Sequence, residues 1–243
     1  MRRVGWFVVA GMFAAALAAP VWAADDDDDR PVVIATGDFN GDGIADIVEA
    51  ISPEGDDAGR YLLTVRLGLG DGRFASAAAK NAIGGDPRAM VVGDFNGDGH
   101  LDVIVGDGDG TLTEFLGDGA GGLAQKENVA TVGSVASIAA GHFTHDGHLD
   151  LIVSDVRSNA AIVLLGAGNG TFQRATSFAL PKIGRRFHVA TADFNGDGIA
   201  DLLIASDDEG DDDYEVMLGN GNGTFTYAPL LSHVRDPNSY CPS

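Results

Sequence analysis

The chain has 243 residues, with 15 basic side chains against 36 acidic ones and a formal net charge of −21, a balance that repels phosphate backbones and anionic lipid and so excludes nucleic acid and membrane surfaces as expected partners. A single cysteine, Cys241, rules out an internal disulfide framework and leaves only a free thiol or a link between chains. Hydrophobic residues at 45% recur in β-branched runs, which excludes low-complexity disorder, while 35 glycines and only 7% aromatics point to many tight turns rather than long helices.

Residues 1–23 read as a secretory leader: Arg2 and Arg3 form the positive start, residues 4–17 the apolar stretch, and Val21-Trp22-Ala23 a small-residue cleavage site. The expected location is therefore secreted or periplasmic, with no membrane insertion after cleavage. Loss of the two arginines would take the charge from −21 to −23. Residues 24–30 follow as an acidic spacer containing the run Asp25 to Asp29, read as solvated chain.

From residue 31 the chain repeats itself. The stretch Gly37-Asp38-Phe39-Asn40-Gly41-Asp42-Gly43-Ile44-Ala45-Asp46 returns at Gly93 to Asp102, at Gly141 to Asp150 and at Ala192 to Asp201. The intervals from Asp38 to Asp94, Asp94 to His142 and His142 to Asp193 are 56, 48 and 51 residues. Periods of this size signal an array of supersecondary units. The units run over residues 31–82, 83–131, 132–182 and 183–233, and residues 234–243 form a tail.

Each intact loop carries side-chain oxygens at positions 1, 3, 5 and 9, a backbone carbonyl at 7 and Gly at 6. This is the ligand order of a calcium loop, because a hard cation takes six to eight oxygens and the chain must turn sharply to present them. Magnesium fits less well, since it prefers a near-ideal octahedron that keeps several waters. The expected calcium ligands are Asp38, Asn40, Asp42, the Ile44 carbonyl and Asp46 in the first loop. In the second they are Asp94, Asn96, Asp98, the His100 carbonyl and Asp102; in the last, Asp193, Asn195, Asp197, the Ile199 carbonyl and Asp201. The competing reading is that Asx residues and Gly make tight solvated turns, but three copies in one register favour the ion. Glu49 stands at position 12 of the first loop and completes a helix-loop-helix calcium pattern, yet the flanks are β-branched and the other intact copies have Val105 and Ile204 there. The third copy has drifted, with His142, Thr144 and His145 at positions 1, 3 and 4; drift is preferred over a transition-metal cluster of His142, His145 and His148.

Within a unit, one apolar strand enters the loop and a second leaves it; in the first unit these are residues 32–36 and 45–51. A third strand, residues 61–67, ends at Leu67-Gly68-Leu69-Gly70-Asp71-Gly72-Arg73-Phe74, a hairpin that recurs at Leu116, at Leu165 and at Leu218, and a fourth is expected over residues 74–80. Nearly continuous apolar strands such as 101–105 and 149–153 imply cover on both faces. Four short strands per unit, repeated at this period, describe an all-β propeller of four four-stranded blades with calcium-binding loops.

The paired signatures Asp-Phe-Asn-Gly-Asp-Gly-x-x-Asp and Leu-Gly-x-Gly-x-Gly-Thr-Phe resemble the FG-GAP/VCBS repeats of calcium-bearing propellers in integrin-type heads and secreted bacterial proteins. The resemblance spans about residues 31–229 and implies calcium held structurally between the first two strands of each blade. Four units are few for this family, so a compact ring is preferred, with an open arc or a homodimer completing a larger ring as alternatives. Closure would set residues 29–36 beside a last strand at 225–233.

The expected function is a non-catalytic binding or adhesion module for a protein or carbohydrate ligand. The alternative is an accessory or catalytic domain of an extracellular polysaccharide-active enzyme, with Asp107, Asp109 and Glu114 as candidate acids, although each has a turn or strand explanation and no nucleophile elbow, zinc-protease motif or phosphate loop is present. A third reading is a spacer or oligomerisation element. Acidic hairpins at Glu54, Asp56 and Asp57, and at residues 207–213, are read as solvated tips between second and third strands.

Overall fold

The computed structural model describes residues 21–22, 33–52, 61–75, 80–180, 187–206 and 214–228. Most of the leader, the acidic spacer, both acidic hairpins and the tail with Cys241 lie outside the described residues.

Every element among the described residues is a strand. The first sheet contains β1 (Val21–Trp22), β2 (Val33–Gly37), β3 (Asp46–Ile51), β4 (Tyr61–Arg66) and β5 (Asn81–Ile83). The second contains β6 (Pro87–Gly93), β7 (Asp102–Asp107), β8 (Thr111–Gly117) and β9 (Leu123–Thr131). The third contains β10 (Val135–Gly141), β11 (Asp150–Asp155), β12 (Ala160–Gly166) and β13 (Phe172–Ala179), and the fourth β14 (Phe187–Ala192), β15 (Asp201–Ser206), β16 (Tyr214–Gly219) and β17 (Phe225–Tyr227). Each sheet is an antiparallel meander in chain order. The first sheet departs from the expected four strands, because Val21 and Trp22, read as part of the cleavage site, pair with Ile34 and Val33. Its last strand also differs from the expected residues 74–80. Phe74 makes a single bridge to Gly68, and the fourth strand is Asn81–Ile83, opposite Leu63, Leu62 and Tyr61.

The sheets stack face to face, with the first strand of each unit against that of the next, β2 on β6, β6 on β10 and β10 on β14. Three apolar cores fill the joints. Val48, Leu63 and Phe39 meet Met90, Val103 and Phe115 in the first, Ile104 and Phe95 meet Ile138 and Leu151 in the second, and Ile152 and Phe143 meet Val189 and Leu202 in the third. The burial pattern follows from this stacking. β7 and β11 are buried at every position, as strands covered on both faces must be, whereas β3 in the first sheet alternates buried and half-buried residues.

The fold is that of propeller blades, but among the described residues the sheets do not close into the expected ring; residues 29–32 and 229–233 of the expected closure lie outside them. Among the described residues no fourth core joins the last sheet to the first, and β17 does not lie beside β2. Among the described residues the blades make an open arc with two unlike ends.

Candidate metal centre

The loop between first and second strands and the hairpin between third and fourth lie at the same end of each sheet, so the oxygen-rich loops share one rim. In the first loop Asp38 Oδ1 accepts the N–H groups of Gly41 (2.8 Å) and Asp42 (3.1 Å), and Oδ2 accepts that of Gly43 (2.8 Å). Asn40 Oδ1 accepts from Asp42 N at 3.0 Å while its Nδ2 donates to Asp42 Oδ2 at 2.8 Å, and Asp42 Oδ1 accepts from Ile44 N at 2.7 Å. The second and fourth loops repeat this network through Asp94, Asn96, Asp98 and His100, and through Asp193, Asn195, Asp197 and Ile199. In each, the position-6 glycine takes the left-handed backbone that the turn requires, φ being 81° at Gly43, 86° at Gly99 and 84° at Gly198. These amide donors hold the Asp193 carboxyl below the usual carboxylate range, the Gly198 N–H contributing most.

The structure therefore gathers positions 1, 3 and 5, and it uses position 9 differently. Asp46, Asp102, Asp150 and Asp201 are all fully buried. Asp46 Oδ2 accepts from Phe39 N at 2.8 Å and Oδ1 from Gly68 N at 2.7 Å, so one carboxylate ties the loop to the neighbouring hairpin. Asp102 bridges Phe95 N and Gly117 N, and Asp201 bridges Phe194 N and Gly219 N. Asp150 makes the same pair of bonds, to Phe143 N and Gly166 N, both at 2.9 Å. It does so in the drifted third loop, so this rivet does not depend on the other donors of the calcium pattern. Burial pushes the Asp102 carboxyl up to about 6 against the pull of its two amides, and burial likewise raises Asp150.

The third loop has found other partners. His142 Nδ1 contacts the His148 carbonyl at 2.9 Å, and His145 Nδ1 contacts the Gly221 carbonyl of the next blade at 3.0 Å. Two of the three histidines thus engage backbone oxygens. Among the described residues no group of three or more Asp, Glu, His or Cys side chains is arranged to hold a metal.

The fit of calcium to the intact loops is a question of lone pairs. Positions 1, 3 and 5 supply only hard oxygen, and each carboxylate oxygen that accepts one N–H keeps a second lone pair. Asp42, Asp98 and Asp197 are exposed, so their oxygens are open to an ion from solvent. Asp46, Asp102 and Asp201 have each oxygen already committed to one amide and would serve an ion only through what remains.

The candidate acids lie elsewhere. Asp107 and Asp109 sit at the far end of β7, on the rim away from the loops; Asp107 is buried, its Oδ1 has no hydrogen-bond partner, and burial with nearby Asp109 and Asp86 raises it to about 6. Glu114 is buried in the second joint, 3.0 Å from Lys126 Nζ, which turns its hydrogens instead to the carbonyls of Gly170 (2.7 Å) and Asn169 (3.3 Å) across the blade boundary. The pair meets the distance of an ion pair without an aligned hydrogen bond, and burial raises Glu114 despite the lysine. Glu49, the position-12 residue, pairs with Arg66 Nε at 2.5 Å on the sheet and takes no part in the loop.

The FG-GAP-like repeat profile matches the chain four times in succession, over residues 38–105, 94–153, 142–204 and 193–241. No curated protein sequence matches it. Among solved structures, a candidate 6-phosphogluconolactonase from Bacteroides uniformis superposes with a TM-score of 0.52 at 12% identity, covering 83% of this chain and 68% of that one. BBS1N in complex with ARL6DN gives 0.48 at 12% identity over 87% of this chain and 57% of that one. The V. cholerae biofilm matrix protein Bap1 gives 0.36 at 13% identity over 87% and 39%. At these identities the likeness concerns the fold.

Proposed function

Because the chain belongs to the FG-GAP-like repeat family, we propose that it is an exported, non-catalytic binding module whose loop rim is set by calcium and which presents protein or carbohydrate ligands with a rigid array of blades. The observation that carries this reading is the threefold recurrence, on one rim, of a loop whose only side-chain donors are hard oxygens already drawn together at positions 1, 3 and 5. Asp38, Asn40, Asp42, the Ile44 carbonyl and the second lone pairs of Asp46 would hold the first ion, and the corresponding residues the other two.

A bound calcium would supply positive charge between carboxylates that otherwise face one another. The chain's own residues do the rest: the ninth-position aspartates fix the loop to its hairpin, and the glycines admit the turn. Loops containing one amide and one carbonyl among their donors suit the weak affinities, roughly 10⁻⁴–10⁻³ M, at which extracellular modules work. This agrees with the leader-like start of the chain and the expected secreted or periplasmic location. Among the described residues no helix is long and apolar enough to cross a membrane.

Isothermal titration of the metal-stripped protein with calcium tests the proposal. Three sites are expected, and substituting Asp42, Asp98 and Asp197 together by Ala should abolish the heat. Absence of any calcium heat in the unsubstituted protein would refute it.

A further inference from the structure

Each joint between blades is fastened in the same three ways. The carbonyl of the loop phenylalanine accepts the N–H of a hairpin glycine in the next blade: Gly121 N to Phe39 O (3.0 Å), Gly170 N to Phe95 O and Gly223 N to Phe143 O (both 2.9 Å). The same phenylalanine ring packs on the residue that ends that hairpin, Phe95 on Phe172 with centroids 5.9 Å apart and Phe143 on Phe225 at 5.2 Å, both edge-on, with Leu123 in the Phe39 core. Finally, the residue before the loop is a glycine against which the next blade's position-8 residue is pressed. A Cβ would come within 2.6 Å of Leu101 at Gly37, 2.7 Å of Leu149 at Gly93 and 2.8 Å of Ala200 at Gly141.

The two ends of the arc each carry half of this fastening. On the last blade, Phe194 is 49% exposed where Phe39, Phe95 and Phe143 are 3%, 2% and 1%, and among the described residues no donor reaches its carbonyl. On the first blade, the hairpin exposes Leu69 (52%) and Phe74 (42%), the latter in register with Phe172 and Phe225. Gly72, in register with Gly121, Gly170 and Gly223, has nothing within 4 Å of the Cβ position, whereas a Cβ on Gly121 would meet Leu67 of the preceding blade at 2.7 Å and one on Gly223 would meet Leu165 at 3.0 Å. The third element departs from the pattern. The last blade has Ala192 where the others have glycine, and the first has Ala45, exposed, where the second and third have leucine. Because a Cβ on Gly141 would already lie 2.8 Å from Ala200, Ala192 against Ala45 sets the two sheets slightly further apart at this point.

We propose that these ends are for each other in a second copy of this chain: two arcs join head to tail, the Phe194 end of each on the Phe74 end of its partner, closing eight blades into one ring. A contact of this kind is heterologous and satisfies both ends only when the ring closes. A second copy is the occupant because the donor, acceptor and exposed aromatic needed by each end are those displayed by the opposite end. Within one chain, among the described residues, neither strand pairing nor an apolar core joins the two ends.

Light scattering on the purified protein under reducing conditions, which removes any contribution from Cys241, tests this. The expected mass is twice that of the chain. Phe194→Asp and Ala45→Arg should each halve it; Ala45 is exposed and its substitution leaves the three internal joints untouched, so it serves if Phe194→Asp folds poorly. An equimolar mixture of the two variants retains one undamaged joint and should recover the two-copy mass. The proposal is overturned by a single-copy mass for the unsubstituted protein, by a two-copy mass that survives both substitutions, or by a mixture that stays at the single-copy mass.

Discussion

Substituting Asp150 by Ala separates the riveting role of the ninth aspartate from any role in metal binding, because the third loop keeps the rivet and has lost the donors at positions 1 and 3. The change removes the acceptors of Phe143 N and Gly166 N, each bonded at 2.9 Å to a carboxylate that is fully buried. An orphaned buried amide costs about 1–3 kcal/mol. Two of them, less the relief of no longer burying a carboxylate whose affinity for protons is already raised, should leave a net loss of about 2–4 kcal/mol. For a domain of this size that is a fall in melting temperature of roughly 5–12 °C. Thermal unfolding by circular dichroism, run in excess chelator and again in calcium, should give the same fall in both. Asp150→Asn should lie between the two proteins, since it retains one acceptor and sets an amide donor against the other N–H. A variant that melts within about 1 °C of the parent would refute the reasoning. So would a loss that appears only with calcium.

Chelation should lower the melting temperature of the unsubstituted protein, because an ion that binds only folded loops at tenfold its dissociation constant contributes about 1.4 kcal/mol per site; the Asp42, Asp98 and Asp197 triple alanine variant should melt alike with and without calcium. Asp107→Asn should stabilise the protein in a pH-dependent way. The folded-state carboxyl is raised from 3.8 to about 6, so the cost of its buried charge is absent below the lower value and fully present above the upper one. Discounted for screening at the rim, the gain should be about 1–2 kcal/mol at pH 8 and near zero at pH 4, read from denaturant midpoints. Lys126→Met should leave Glu114 charged and unpaired in the second joint. We expect a loss on the order of 2–3 kcal/mol at pH 8 that shrinks toward pH 4 as the glutamate takes up a proton, measured by urea unfolding at both pH values.

The blades were legible in the sequence because strand pattern and turn chemistry are local: β-branched runs bounded by Gly-rich hairpins become β3, β4 and their counterparts whatever surrounds them. Whether blades close depends on what the first and last sheets present to each other. Phe194 reads like Phe39, Phe95 and Phe143 in the sequence, and only the stack reveals that it lacks a following blade. The fourth strand of the first blade was misplaced because Phe74, in register with strand residues Phe172 and Phe225, makes only a bridge. At the loops, an aspartate open to solvent and one that is buried and caps two amides have the same letter. The one available signal was Asp150, retained in a copy that had exchanged Asp and Asn for His and Thr at positions 1 and 3. Asp107 offered no signal, since its burial comes from segments that meet only after folding.

The identical fastening at every joint also governs how the molecule comes apart. Coupling passes only between adjacent sheets, so the free energy of opening should rise from the outermost sheets toward the middle pair, as in other stacked-repeat proteins. A lone arc would fray inward from its termini, exchanging amide protons first in β2 to β5 and in β14 to β17. A ring has no outermost sheet and would have to break somewhere before any blade could peel away.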